Sequence, residues 1–177
     1  LFLNSPNNPS GQICENLEEI ADIAKKYNLI ILSDEIYSEL SFKDNYQSIS
    51  NFCPDKTIVS TGLSKWCGAG GWRLGYFLVP DSLIQIRDMI NVLASETFSA
   101  VSAPIQYAAI TAYNNDHSHY INISRKILSA VGKYVYENLK SNKILINEPQ
   151  GGFYLMPEFL NKKFNTSSEM CDSILND

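Results

Sequence analysis

The stretch Leu29-Ile30-Ile31-Leu32 is a continuous apolar run that stops abruptly at Ser33-Asp34-Glu35. Just upstream, Leu17, Ile20, Ala21 and Ala24 recur at helical spacing behind Asn16. Glu18 and Glu19 fall in the first turn, and Lys25 and Lys26 in the last. This predicts a helix with one apolar face, charges that suit its dipole and an asparagine placed to cap it. A helix feeding an unbroken apolar run is the pattern of a parallel strand buried on both faces, which constrains the chain to an α/β architecture. The theme repeats downstream. Thr57-Ile58-Val59-Ser60 reads as a second strand, and Leu74 to Val79 as a third, stopped by Pro80.

Helices are expected over 81–95, 104–114 and 116–140. In the last, Tyr120, Ile123, Ile127, Val131, Tyr134 and Val135 trace an apolar stripe. Its length of about 37 Å suits a helix that connects two domains. Residues 144–147 and 153–156 then read as short strands of a second domain, flanking the turn Glu148-Pro149-Gln150-Gly151-Gly152.

Composition excludes several classes. Of 177 residues, 45% are apolar and 19% charged, too many apolar and too few charged for a disordered chain. A net charge of −5 argues against nucleic acid as a partner. No apolar run approaches the roughly 18 residues of a membrane span. The four cysteines, Cys14, Cys53, Cys67 and Cys171, have spacings that suit neither a zinc site nor a disulfide framework. They read as reduced thiols in a cytoplasmic protein, with no metal site. The chain opens at Leu1 without Met and closes inside a helical pattern. It therefore reads as a piece of a longer protein, and a targeting signal could lie outside it.

In open α/β sheets, ligands bind beyond the carboxyl ends of the strands. Three polar sets fall at such ends: Asn8 with its loop, Asp34 with Tyr37, and Lys65 with Arg73. Taken singly, each has an ordinary explanation: a turn, a helix cap, a solvated lysine. The stretch Gly68-Ala69-Gly70-Gly71-Trp72-Arg73 is not a dinucleotide fingerprint, because Arg73 stands where the third glycine belongs and a strand follows instead of a helix. His117 and His119 read as surface residues.

Together the sets are more specific. Ser5-Pro6-Asn7-Asn8-Pro9-Ser10-Gly11, Ser33-Asp34-Glu35-Ile36-Tyr37, Ser64-Lys65 and Gly71-Trp72-Arg73-Leu74-Gly75-Tyr76 occur in that order. Ser102-Ala103-Pro104-Ile105-Gln106-Tyr107 and Pro149-Gln150-Gly151-Gly152-Phe153-Tyr154 follow. This combination, over nearly the whole chain, resembles the class I/II aminotransferases, the aspartate aminotransferase-like enzymes of the type I fold that depend on pyridoxal 5'-phosphate.

The resemblance implies a mixed-sheet α/β fold. Residues 1–115 would be the second half of the large cofactor-binding domain, 116–140 the connecting helix, and 141–177 the start of the small domain. It implies transfer of an amino group from an amino acid to a 2-oxo acid, in a homodimer with shared active sites. Lys65 matches the lysine that forms a Schiff base with the cofactor aldehyde. Amine attack needs the neutral form, and burial beside other cations favours it. Once freed, the amine can move a proton between the substrate Cα and the cofactor. Asp34 matches the carboxylate facing the pyridine nitrogen, which keeps the ring an electron sink. Tyr37 and Asn8 match donors to the phenolic oxygen. Arg73 matches a phosphate-binding arginine, whose planar fork suits bidentate contact, and Ser64 is a weaker phosphate ligand.

The pattern departs at Gly62, where many relatives carry a phosphate-binding serine. A ring-stacking aromatic and a second phosphate loop are expected upstream of position 1, and the arginine that grips the substrate carboxylate downstream of 177. The same lysine and aspartate serve lyases and synthases of this fold, such as β-elimination enzymes or aminocyclopropane-carboxylate synthase. A non-catalytic relative would normally lose one of the two.

Overall fold

The computed structural model describes residues 1–141, 143–160 and 163–176. A four-stranded sheet organises the first part. Its strands are β1 (Phe2–Asn4), β2 (Ile31–Asp34), β3 (Thr57–Gly62) and β4 (Gly75–Leu78), in the order β1-β2-β3-β4. β1, β2 and β3 are parallel, and β4 runs antiparallel to β3. The sheet is therefore mixed, as the resemblance implies.

α1 (Leu17–Lys26) connects β1 to β2 and lays Leu17, Ala21 and Ala24 against Ile31, Ile49 and Cys53. The two alanines let the helix approach the sheet closely. Asn16 does not cap it: its side chain makes no capping bond, and only its carbonyl takes the Ile20 N–H. β2 starts two residues later than expected: Leu29 and Ile30 are exposed and follow directly on a turn in which Asn28 is left-handed (φ +54°). Along β2 the burial alternates, Ile31 and Ser33 inside and Leu32 and Asp34 half-open. Only the α1 face is fully covered, so burial of β2 on both faces does not hold within this chain.

α2 (Ile84–Thr97) follows a single tight turn at 81–83, and α3 (Ala103–Asn114) begins at Pro104 in its first turn. α3 contributes Ala109 to a second cluster with Leu63, Trp66 and Leu74. α4 (Ser118–Leu139) is the long helix, 22 residues. Its Gly132 lies against Pro149, where a methyl group would stand 2.8 Å from the proline ring. Beyond it, β5 (Ile144–Leu145) pairs antiparallel with β6 (Glu158–Phe159), and α5 spans Ser167–Asn176.

The strand expected at 153–156 is absent. Gly152 is left-handed (φ +70°) and turns the chain there. The preceding backbone is already bonded to the first part of the molecule, so pairing waits until 158–159. Among the described residues, no helix is long and apolar enough to cross a membrane, and no group of three His, Cys, Asp or Glu is placed to hold a metal. All four cysteines are free thiols.

Candidate active site

Because β1, β2 and β3 run the same way, the residues that follow each strand emerge at one edge of the sheet. Asn4, Asp34 and Ser60 stand side by side across it. Asn4 ties the first loop to the second strand. Its Nδ2 donates to the Asp34 carbonyl at 3.0 Å, and its Oδ1 takes the Asn8 N–H at 2.8 Å. The loop from Ser5 to Gly11 thus hangs from Asn4, leaving Asn8 exposed beyond the strand ends. Asp34 is half-buried, and its Oδ1 accepts the Ile36 N–H at 3.3 Å. One short turn later comes Tyr37, almost fully buried.

The segment 148–154 is stitched to these loops by backbone pairing. Gln150 and Gly151 donate to the Gly11 carbonyl at 2.8 and 3.2 Å. Phe42 donates to Gln150, and Gly152 to Leu40, at 2.8 and 3.0 Å. Side chains add Gln12 Nε2 to the Glu148 carbonyl at 2.9 Å, and the Ile13 N–H to Gln150 Oε1 at 2.8 Å. Glycine is required where the strips meet: a methyl group at left-handed Gly11 would lie 2.5 Å from the Tyr154 carbonyl oxygen.

This docking brings Phe153 and Tyr154 into T-shaped contact with Tyr37, with ring centroids 5.5 and 5.6 Å away. The Tyr37 hydroxyl donates to the Tyr154 hydroxyl at 3.0 Å. Lys65, half-buried after β3, holds its Nζ 5.5 Å from the Tyr37 ring and 5.4 Å from the Phe153 ring. An ammonium so placed gains roughly 0.5–2 kcal/mol. Burial, then the Tyr154 hydroxyl, pushes the Tyr37 phenol above its ordinary range; the Asn8 side chain opposes this by bonding to it. Tyr37 is therefore a neutral donor at physiological pH.

Four of the expected residues, Asn8, Asp34, Tyr37 and Lys65, thus converge at one edge. Ser64 adjoins Lys65, half-buried. Arg73 is exposed and folded onto its own loop, Nη1 donating to the Gly70 carbonyl at 2.8 Å, with its backbone left-handed (φ +56°). Gly62 has a packing reason: a methyl group there would lie 2.5 Å from the Leu74 carbonyl oxygen and 2.8 Å from the Gly75 Cα. Close approach of the Leu74–Gly75 backbone leaves no room for a side chain at Gly62.

Sequence reasoning passed over several supporting residues. Asn4 is one. Another is buried Glu35, whose Oε1 accepts the Ser33 and Ser48 hydroxyls at 2.9 and 2.6 Å. Nearby Tyr46 donates to the Ser5 carbonyl at 2.9 Å. Burial, then the Glu35 carboxylate, pushes the Tyr46 phenol above its ordinary range. The asparagine at a strand end was visible in the sequence; the Glu35 partners, 2 to 13 residues away, were not. His117 is corrected too. It is half-buried, its ring 5.7 Å from Trp66, with Nε2 buried and unpartnered among the described residues. The α3–α4 connection folds over Trp66 and carries the ring in.

Known proteins match this chain along its length. The family described as aminotransferase class I and II matches residues 1–177. An aspartate aminotransferase of Thermotoga maritima is 33% identical over 159 residues, which is 88% of this chain and 40% of that protein. A probable N-acetyl-LL-diaminopimelate aminotransferase of Bacillus subtilis is 35% identical over 95% of this chain and 42% of its own length. Among solved structures, an alanine aminotransferase from Pyrococcus furiosus superposes with a TM-score of 0.89 at 32% identity, over 99% of this chain and 46% of that one. The chain spans less than half the length of these relatives. With the strand order, the edge-clustered residues and these matches in agreement, the chain belongs to the class I and II aminotransferases.

Proposed function

We propose that this chain is the core of a pyridoxal 5'-phosphate-dependent aminotransferase, moving an amino group from an amino acid to a 2-oxo acid. One observation carries the reading: the Lys65 amine sits over the Tyr37 ring at the strand edge where Asp34 and Asn8 also end. The donor set suits the cofactor, because it offers a carboxylate, a phenol, a carboxamide and an amine on one edge of the sheet. When bound, the cofactor supplies a carbonyl for amine capture and a ring that accepts the electron pair released at the substrate Cα.

Each residue then has one task. Asp34 pairs with the protonated ring nitrogen. Tyr37 and Asn8 donate to the phenolic oxygen. Lys65 would hold the cofactor through its amine, and as a free amine would carry the proton to and from the substrate Cα. Arg73 and Ser64 hold the phosphate. Residues 1–115 belong to the large domain, 116–140 to the connecting helix and 141–177 to the small domain. The intact protein works as a homodimer with shared sites in the cytoplasm, a compartment that suits four free thiols.

The test is borohydride reduction of the intact protein with pyridoxal 5'-phosphate bound, followed by peptide mapping. The pyridoxyl group is expected on Lys65. Finding it on Lys56 or another lysine instead, or no label at all, would overturn the proposal.

A further inference from the structure

We infer that Tyr154 is a positioning residue that acts through Tyr37, as the outer member of a two-hydroxyl relay; the inference rests on the aminotransferase reading. The two phenol oxygens are 3.0 Å apart, and Tyr37 is 3% exposed. A phenol has one proton to give and lone pairs to receive with. Tyr37 donates to Tyr154 here; once it gives its proton instead to the phenolic oxygen of the cofactor, that bond must reverse, and Tyr37 can stay bonded to Tyr154 only as an acceptor. Tyr154 must then be the donor. The relay therefore runs from Tyr154 to Tyr37 to the cofactor oxygen, and a hydroxyl that receives a hydrogen bond donates more strongly.

The surroundings hold Tyr154 to this task. Its segment is fixed by the bonds from Gln150 and Gly151 to Gly11 and from Gly152 to Leu40. Gly152 packs against the Tyr37 ring, where a methyl group would lie 3.5 Å from Cδ1. The other groups facing Tyr37 are the Asp34 carboxylate, the Asn8 carboxamide and the Lys65 amine. Phe153 offers only an aromatic ring, in T-shaped contact. Tyr154 is thus the hydroxyl neighbour placed to donate to Tyr37. The strength of the Tyr37 bond becomes tied to the docking of a segment 117 residues further along the chain.

The experiment follows the visible absorbance of bound pyridoxal 5'-phosphate against pH in the intact protein. Four forms are compared: unsubstituted, Tyr154→Phe, Tyr37→Phe and the double variant. A donor to the phenolic oxygen favours its negative form, so loss of the relay raises the pH midpoint. Tyr154→Phe keeps the ring and is expected to raise the midpoint by a few tenths of a pH unit, the scale of 10–30% weakening of one bond. Tyr37→Phe is expected to raise it further, and the double variant to match Tyr37→Phe.

An unchanged midpoint in Tyr154→Phe would overturn the relay. So would an equal shift from Tyr154→Phe with Tyr37 already replaced, since Tyr154 would then act directly. Loss of cofactor binding in Tyr154→Phe alone would overturn it as well, because a relay tunes the cofactor without being needed to bind it. Failure of the unsubstituted protein to bind cofactor, or labelling away from Lys65, would instead overturn the aminotransferase reading and the relay with it.

Discussion

Asn4 and Asp34 are register partners on adjacent parallel strands, and the Asn4 side chain bonds the Asp34 backbone at 3.0 Å while gripping the Asn8 N–H at 2.8 Å. One carboxamide thereby ties the end of β2 to the loop that carries Asn8. Among the described residues the Asp34 side chain takes one hydrogen bond, from the Ile36 N–H, which leaves acceptor capacity to spare.

That spare capacity separates two roles for Asp34. If it pairs with a ring cation, Asp34→Ala removes one partner of a poorly solvated pair, at about 3–5 kcal/mol. Turnover is then expected to fall by roughly two to four orders of magnitude, with Asp34→Glu less affected. If it is only a local cap, the loss is about 1 kcal/mol of stability. Steady-state rates and melting temperature, measured on the intact protein, distinguish the two. Near-normal turnover with a lower melting temperature would favour the cap.

Gly62 permits a test of packing against chemistry. Gly62→Ser would add a hydroxyl near the candidate site, but its Cβ would meet the backbone of Leu74 and Gly75 at 2.5 and 2.8 Å. We expect a destabilisation of about 1–3 kcal/mol, as for overpacking, read as a lower urea midpoint. Gly71→Ala, with open space around it, is expected to stay within about 0.5 kcal/mol. Equal midpoints for the two variants would sink the argument.

Three tyrosines predict the alkaline limit of stability. Burial, joined by neighbouring hydroxyls or the Glu35 carboxylate, raises Tyr37, Tyr46 and Tyr76 above the ordinary phenol range. Unfolded tyrosines ionise near ~10, so above that pH the unfolded chain holds fewer protons than the native one. Their stabilisation is complete below pH ~10 and is lost as pH rises through their native values. Urea midpoints measured from pH 8 to 11 are expected to be flat and then to decline. Tyr46→Phe is expected to make the decline shallower; an unchanged slope would remove Tyr46 from the account.

The exposed apolar surface predicts how residues 1–177 behave by themselves. Ile123, Ile127, Val131 and Tyr134 are exposed along α4, and Phe77 and Leu78 on the last strand of the sheet. Contiguous apolar area of this kind marks an interface, and an uncovered strand invites edge pairing. Expressed alone, these residues are expected to self-associate in sedimentation velocity and to show no transamination with added cofactor. A monodisperse, active monomer would contradict this.

The sequence by itself determined the α/β class, the order of the elements and the identity of the edge residues. The reason is local: helix period, apolar runs and turn residues act over a few positions, and Asn8, Asp34 and Lys65 each lie at a strand's last residue or within four residues of it. It also carried the motif that holds Tyr154, but no role for it. Boundaries were legible to within two or three residues, save at 153–156. There, bonds to Gly11 and Leu40 draw the backbone out of strand pairing, a decision made by residues more than a hundred positions away. The tertiary structure alone decided that Tyr37 meets Tyr154, that Asn4 sets the spacing of Asn8 and Asp34, that β4 leaves no room for a side chain at Gly62, and that His117 turns inward onto Trp66. Each depends on the distance between segments remote in sequence, which is fixed only when close packing brings them together.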